Sequence, residues 1–415
     1  MQRSTAPHST ISDRPFEVLI CSTPVEGHVN PATAIAHALV QRGHHVRWYT
    51  GAAFRQTVEA TGATFEPIVY ATEPTTAILD DRFPGRAGLD GLAGLKFDLE
   101  HLFISEAPGQ VRDVQRILAA APADVLLVDT AFVAASLVHE LGGPPFATYG
   151  ISILPIPSRD LPPLGSGRLP STSPVTRRLD RLVTPIATRV LFRDVQRRFQ
   201  QARRSVGLPA DHSTVFDTFV SPLLYLHGSA ASFEYPRSDL PGHVHFVGPL
   251  VPASTPDQPF PDWWTTIDHD KPLVLVTQGT VAVDLGDLVA PTLAALAGDD
   301  VVVVATGGRG RDALTGPVPA NAHVESYIPF ASILPHVDVM VTNGGFGGVQ
   351  LALAHGVPMV VAGTTEDKPE ISARVEWSGT GINLRTKRPT PLQLRNAVWS
   401  VLSDERYRTA AERLA

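Results

Sequence analysis

A histidine stands in Ser22-Thr-Pro-Val-Glu-Gly-His28-Val-Asn-Pro31, directly after the apolar run F-E-V-L-I-C and before an alanine-rich segment of helical length. The glycine permits a tight turn, and Asn30 followed by Pro31 reads as an N-cap and first helical residue, so His28 should lie in a strand-to-helix turn. Imidazole is the side chain best suited to accept a proton near neutral pH. With 15 histidines in the chain, position alone leaves open a turn histidine satisfied by nearby backbone. The second acid-base candidate is Asp129, which ends V-L-L-V-D. A carboxylate at the edge of an apolar strand must be solvated, cap a helix or be paired, because an unpaired buried charge is costly. Paired with His28, it would fix the imidazole tautomer and stabilise the imidazolium formed when a hydroxyl gives up its proton.

A different chemistry is written in the second half. Thr277-Gln-Gly-Thr280 follows one apolar run, and Thr342-Asn-Gly-Gly-Phe-Gly-Gly348 follows another and leads into the helical Val349 to His355. Glycines between a strand and a helix let backbone N–H groups and the helix dipole approach an anion, and a diphosphate is the natural ligand; a purely structural turn is the alternative. The spacing does not satisfy the dinucleotide fingerprint, which lowers a nicotinamide-dependent reading. Downstream, Thr364-Thr-Glu-Asp-Lys-Pro-Glu370 could bind sugar hydroxyls through its carboxylates, or be an exposed charged loop. Asp268-His269-Asp270 could hold a divalent ion, but it precedes the strand starting at Leu273 and should lie at its amino end, so no metal site is expected.

These residues need strands to carry them. Short β-rich runs, each followed by a helix-length segment, recur at Phe16–Cys21, Val46–Thr50, Val125–Asp129 and Pro145–Tyr149, then at Leu273–Thr277, Val301–Thr306, Val339–Thr342 and Met359–Ala362. Runs such as V-V-V-V-A-T are apolar on both faces, as parallel strands covered by helices must be. The fold expected is α/β, with two doubly wound Rossmann-like domains facing each other across a cleft. Residues 1–247 form the first domain, the proline-rich 248–259 the linker and 260–415 the second domain. Ligands of such sheets bind outside the carboxyl ends of the strands. The irregular segments Thr72–Leu102 and Ile151–Val220 should shape a specificity pocket.

Composition bounds the partners. A length of 415 residues favours two domains, and a net charge of −7 argues against nucleic acid. Arg177 to Arg204 is a basic exception, in which arginines alternate with Leu179, Leu182, Ile186, Val190 and Leu191 at near-helical spacing. It reads as a solvated helix face, with a membrane-surface contact as the alternative. The single cysteine, Cys21, excludes an intrachain disulfide and fits a reducing cytoplasm. No apolar run approaches the roughly 20 residues of a transmembrane helix. A cytoplasmic monomer or homodimer is expected.

Taken together, the motifs resemble the inverting, GT-B-fold glycosyltransferases that include antibiotic, macrolide and plant natural-product enzymes. The resemblance is carried by G-H-V-N-P, Arg42-Gly-His-His-Val46, Tyr327-Ile-Pro-Phe330, Ile333-Leu-Pro-His336, Val341 to Gly348, Gly356-Val-Pro358 and Asp367-Lys368. It implies His28 as general base and Asp129 as its partner. The donor would be held by Thr280, Tyr327, Asn343, Gly345, Phe346, Gly347, Gly348, Gln350, Asp367 and Lys368. The reaction implied is displacement at the anomeric carbon of a UDP- or dTDP-sugar by a hydroxyl of a small lipophilic acceptor, with the nucleotide sugar as co-substrate and no further cofactor or metal. A non-catalytic nucleotide-sugar-binding or auxiliary protein, or a nucleotide-sugar epimerase, is the alternative. This chain has Asn343 where the family commonly has histidine, Tyr327 for tryptophan, Phe330 for glutamine, Gly348 for serine, Leu351 for glutamate and Lys368 for glutamine. Leu351 cannot accept from ribose hydroxyls, so either the nucleotide is a deoxythymidine or Gln350 substitutes.

Overall fold

The computed structural model describes residues 14–73, 83, 85–86, 89, 91–251, 260–279, 284–307, 314 and 316–415, the side chains of 174 and 185–187 excepted. Thr280, most of the proposed linker and part of Thr72–Leu102 lie outside the described residues. Two sheets organise the chain. The first has the order β3-β2-β1-β4-β5-β6-β7, with β1 Glu17–Cys21, β2 His45–Thr50, β3 Thr64–Pro67, β4 Val125–Asp129, β5 Phe146–Gly150, β6 Tyr225–His227 and β7 Val244–Phe246. The second has the order β10-β9-β8-β11-β12-β13, with β8 Leu273–Thr277, β9 Val302–Thr306, β10 Ala322–Glu325, β11 Val339–Thr342, β12 Met359–Val361 and β13 Gly381–Asn383. Adjacent pairs in both sheets are parallel, with Cys21 beside Val128 and Thr342 beside Thr277.

Parallel strands need a covered surface on each side, and each sheet has one. Leu19, Cys21, Leu126 and Val128 point to one face of the first sheet, while Val18, Ile20 and Leu127 point to the other. Leu275, Met340 and Met359 alternate with Val274, Val341 and Val360 in the same way in the second. The first half also lends Ile153 and Phe233 to the second sheet's core, so the seam between the halves is shared packing. Strand order reverses between β1 and β4 and again between β8 and β11. A crevice opens at such a switch point because the flanking connections leave to opposite faces.

Candidate active site

His28 and Asp129 meet at the first switch point. The helix after β1 spans Glu26–Gln41 with extended Val25 as its N-cap, so it begins before Asn30 and places Pro31 inside, contrary to the sequence expectation. The cause is local: the Val25 carbonyl accepts from both His28 N–H at 2.9 Å and Val29 N–H at 3.0 Å, closing the first turn early. His28 is thus in the first helical turn, its backbone carbonyl accepting from the Tyr149 hydroxyl at 3.0 Å.

His28 Nδ1 donates to Asp129 Oδ1 at 2.9 Å. Asp129, 1% exposed, also accepts from Thr23 N–H at 2.6 Å and Ala131 N–H at 2.7 Å. An acceptor surrounded by donors satisfies the cost of burying a carboxylate. Because a carboxylate only accepts, the shared proton belongs to Nδ1, leaving Nε2 as the basic nitrogen. The imidazole keeps 16% of its side chain exposed and stacks on Phe103 with centroids 6.0 Å apart. Phe103 lies in the π-helical turn Leu99–Ile104, an irregularity of the kind often found at functional sites.

The second switch point is bridged by Asn343, whose amide donates to the Gln278 carbonyl while its Oδ1 accepts weakly from Gly345 N–H at 3.4 Å. Half of the amide's donor capacity is therefore committed to joining the ends of β8 and β11. Gly344 has φ +82°, and a Cβ there would lie 2.9 Å from Ser372 Oγ, so the turn needs glycine. The helix Phe346–Ala354 follows with Gly345 as N-cap and no side-chain cap. Its first N–H groups have no intrahelical acceptor, and a Cβ at Gly347 or Gly348 would meet nothing within 4 Å. This is an open, dipole-positive backbone surface suited to an anion.

Phe346 and Gln350 turn into the protein rather than toward that surface. Residues 346, 349, 350 and 353 share one helix face, and that face is buried. Phe346 packs in the second core and lies 5.9 Å from His227 of the first sheet. Gln350 is 4% exposed and its Nε2 has no hydrogen-bond partner among the described residues, while Leu351 is partly buried against the same core. Tyr327, by contrast, is 63% exposed.

Asp367 and Lys368 come from the loop after β12. Glu366 adopts φ +53°, a region disfavoured for residues with a Cβ. Half-buried Asp367 accepts from the Ser152 hydroxyl, across the seam. Burial pushes the Asp367 carboxyl above the usual range, opposed by its bond to Ser152 and more weakly by His28 and Arg374. Lys368 pairs with Glu366 and donates to Thr365 Oγ1 at 3.2 Å. Burial, reinforced by Arg86, nevertheless lowers the Lys368 ammonium to about 8. Asp98, which holds Arg86 through bonds of 2.7 and 3.1 Å, acts in the opposite direction.

Sequence reasoning missed the clamp behind this loop. Arg374, on the Lys368–Trp377 helix and 1% exposed, grips Glu234 of the first half with bonds of 2.9 and 3.1 Å and Glu370 with one of 3.1 Å. Glu370 also accepts from Gly167 N–H at 2.9 Å. Burial pushes the Glu234 carboxyl up, but His227, Arg374 and Arg237 outweigh it and hold it at about 2. Glu234 and Arg374 are 140 positions apart, so their pairing leaves no local signal. The Asp268-His269-Asp270 triplet sits before β8, where Asp268 Oδ1 accepts from Asp270 N–H at 3.1 Å, at the opposite end of the strand from the crevice.

A family model described as erythromycin biosynthesis protein CIII-like, C-terminal domain, matches residues 290–415. The chain is 46% identical over 398 residues to 4'-demethylrebeccamycin synthase of Lentzea aerocolonigenes, covering 96% of this chain and 94% of that protein. It is 36% identical to UDP-glycosyltransferase 2 of Phaeomoniella chlamydospora, covering 96% and 91%. Its fold matches the crystal structure of the kitacinnamycin glycosyltransferase with a TM-score of 0.71 at 23% identity, covering 97% and 94%. Paired sheets, facing switch points and full-length similarity agree: the chain belongs to the GT-B natural-product glycosyltransferase family and is a glycosyltransferase.

Proposed function

We propose that the protein transfers a hexose from a UDP- or dTDP-sugar to a hydroxyl of a small lipophilic acceptor, with inversion at the anomeric carbon. The observation that carries this reading is the 2.9 Å His28–Asp129 pair at the carboxyl-end switch point of the first sheet. His28 Nε2 takes the proton as the acceptor oxygen bonds to the anomeric carbon, and the bond from that carbon to the diphosphate oxygen breaks, its electron pair leaving with the nucleotide. Asp129 holds the imidazole and stabilises its charged form. The N–H groups at Gly345, Gly347 and Gly348, with a contribution from Thr280, receive the leaving charge. Asp367 accepts from sugar hydroxyls, Lys368 reaches the diphosphate or a sugar oxygen, and Tyr327 stacks on the pyrimidine. Leu351 and the buried Gln350 offer no ready ribose acceptor, which favours a deoxythymidine nucleotide. The D-x-D triplet's place at the far end of β8 favours a reaction without a metal.

Residues 1–247 would hold the acceptor and 260–415 the donor. A reducing cytoplasm is the compartment expected, in keeping with the free, buried Cys21. Single-turnover assays pairing UDP- and dTDP-glucose with candidate aglycones test the reading. Glycoside should form with wild type and fail with His28→Ala while nucleotide affinity is retained. Undiminished turnover in that variant would remove His28 as the base.

A further inference from the structure

The Pro174–Leu191 helix wears its apolar residues on the outside. Val175, Leu179, Leu182, Val183 and Val190 are 74, 58, 71, 45 and 69% exposed. Steps of four, three, one and seven residues put them on one helix face, which a globular domain ordinarily turns inward. Here the other side is the anchored one. Buried Asp180 accepts from Arg168 Nη1 at 3.1 Å, and Arg181 Nε donates to the Arg159 carbonyl at 2.8 Å. Arg178 and Arg189, four residues before and seven after Leu182, follow one edge of the stripe and are exposed. With Arg177 and Arg193 they have no ion-pair partner among the described residues. From 174 to 205 the chain holds nine arginines and two aspartates, although the whole protein carries −7.

We infer that this face docks on an anionic lipid surface, the helix lying in the membrane interface with valine and leucine in the acyl boundary and arginine among the headgroups. An apolar stripe edged by arginine supplies both interactions that such binding needs, aliphatic burial and attraction to anionic lipid. The charge pattern opposes an antiparallel second copy as the occupant, because a two-fold dimer of that kind would set the arginine-bearing edges against each other. The contact is peripheral: among the described residues no helix is long and apolar enough to cross a membrane. The inference does not depend on the identity of donor or acceptor.

Co-sedimentation of the full chain with phosphatidylcholine vesicles, with and without phosphatidylglycerol, tests it. Wild type should pellet with the anionic vesicles, bind the zwitterionic ones much less, and release as salt is raised. Arg178→Gln with Arg189→Gln should weaken anionic binding about thirtyfold. Leu179→Ser, Leu182→Ser and Val190→Ser together should abolish it, with the thermal midpoint retained because the substituted side chains are solvent-facing. Wild type remaining in the supernatant with both vesicle types would overturn the inference. So would equal pelleting of the triple variant. A dimer-to-monomer change in that variant by sedimentation velocity, without vesicle binding in wild type, would instead identify a self-association face and likewise overturn it.

Discussion

At the carboxyl ends of β1 and β4 the first sheet presents side chains, His28 held by Asp129, whereas at β8 and β11 the second presents backbone, the glycine turn and uncapped helix start joined by Asn343. The two crevices arise from the same reversal of strand order. A proton must be taken by a group whose basicity is set by its neighbours, which requires a titratable side chain with an oriented partner. A departing diphosphate needs several weak donors already in place, which a backbone supplies without reorganisation. Topology thus provides the location, and local sequence decides whether side chain or main chain occupies it.

His28→Ala should cost the most, lowering kcat/KM about a thousandfold or more with nucleotide affinity unchanged by calorimetry; a loss of affinity would blur the division of labour. Next comes Arg374→Met, which leaves Glu234 buried without its bidentate partner and should cost about 3–5 kcal/mol of stability, read by chemical denaturation. If the clamp also aligns the two crevices, kcat should fall in the variant at temperatures where it remains folded. Asp129→Asn should lower kcat/KM about a hundredfold, read by steady-state kinetics against wild type.

Gly348→Ala should act with opposite signs on two measurements. The added methyl finds open space and favours the helix by up to about 1 kcal/mol, so the thermal midpoint should hold or rise. Nucleotide affinity should fall about tenfold if the diphosphate sits against that backbone. The smallest effect is expected at Lys368. Its folded-state pKa of about 8 lies below the ordinary 10.5, so between those values the unfolded chain binds more protons and stability rises with pH. Denaturation titrations should show stability rising across that window, moderated by Glu366, and Lys368→Gln should abolish the rise.

The bounds of β4, β8 and β11 were readable from residue pattern, because buried parallel strands are continuous apolar runs; the pattern also put Asp129 at the end of one of them, while its pairing with His28 was one of several options left open. The short strands β6, β7 and β13 were not: three residues at or near a sheet edge carry too little pattern. Helix phase hid the burial of Phe346 and Gln350, since a motif names residues in order without saying which face is covered.

By itself, the sequence determined the alternation of strand and helix, the aspartate that ends β4 and the glycine-rich turn that follows β11, all of which follow from near-neighbour sterics and burial. Only the tertiary structure decided that Ser152 meets Asp367, that Arg374 closes on Glu234, and that the leucines of the Pro174–Leu191 helix face outward. Those outcomes depend on which surfaces are brought together across the seam. A side chain's partner 140 or 215 positions away is chosen by packing, on which local pattern is silent.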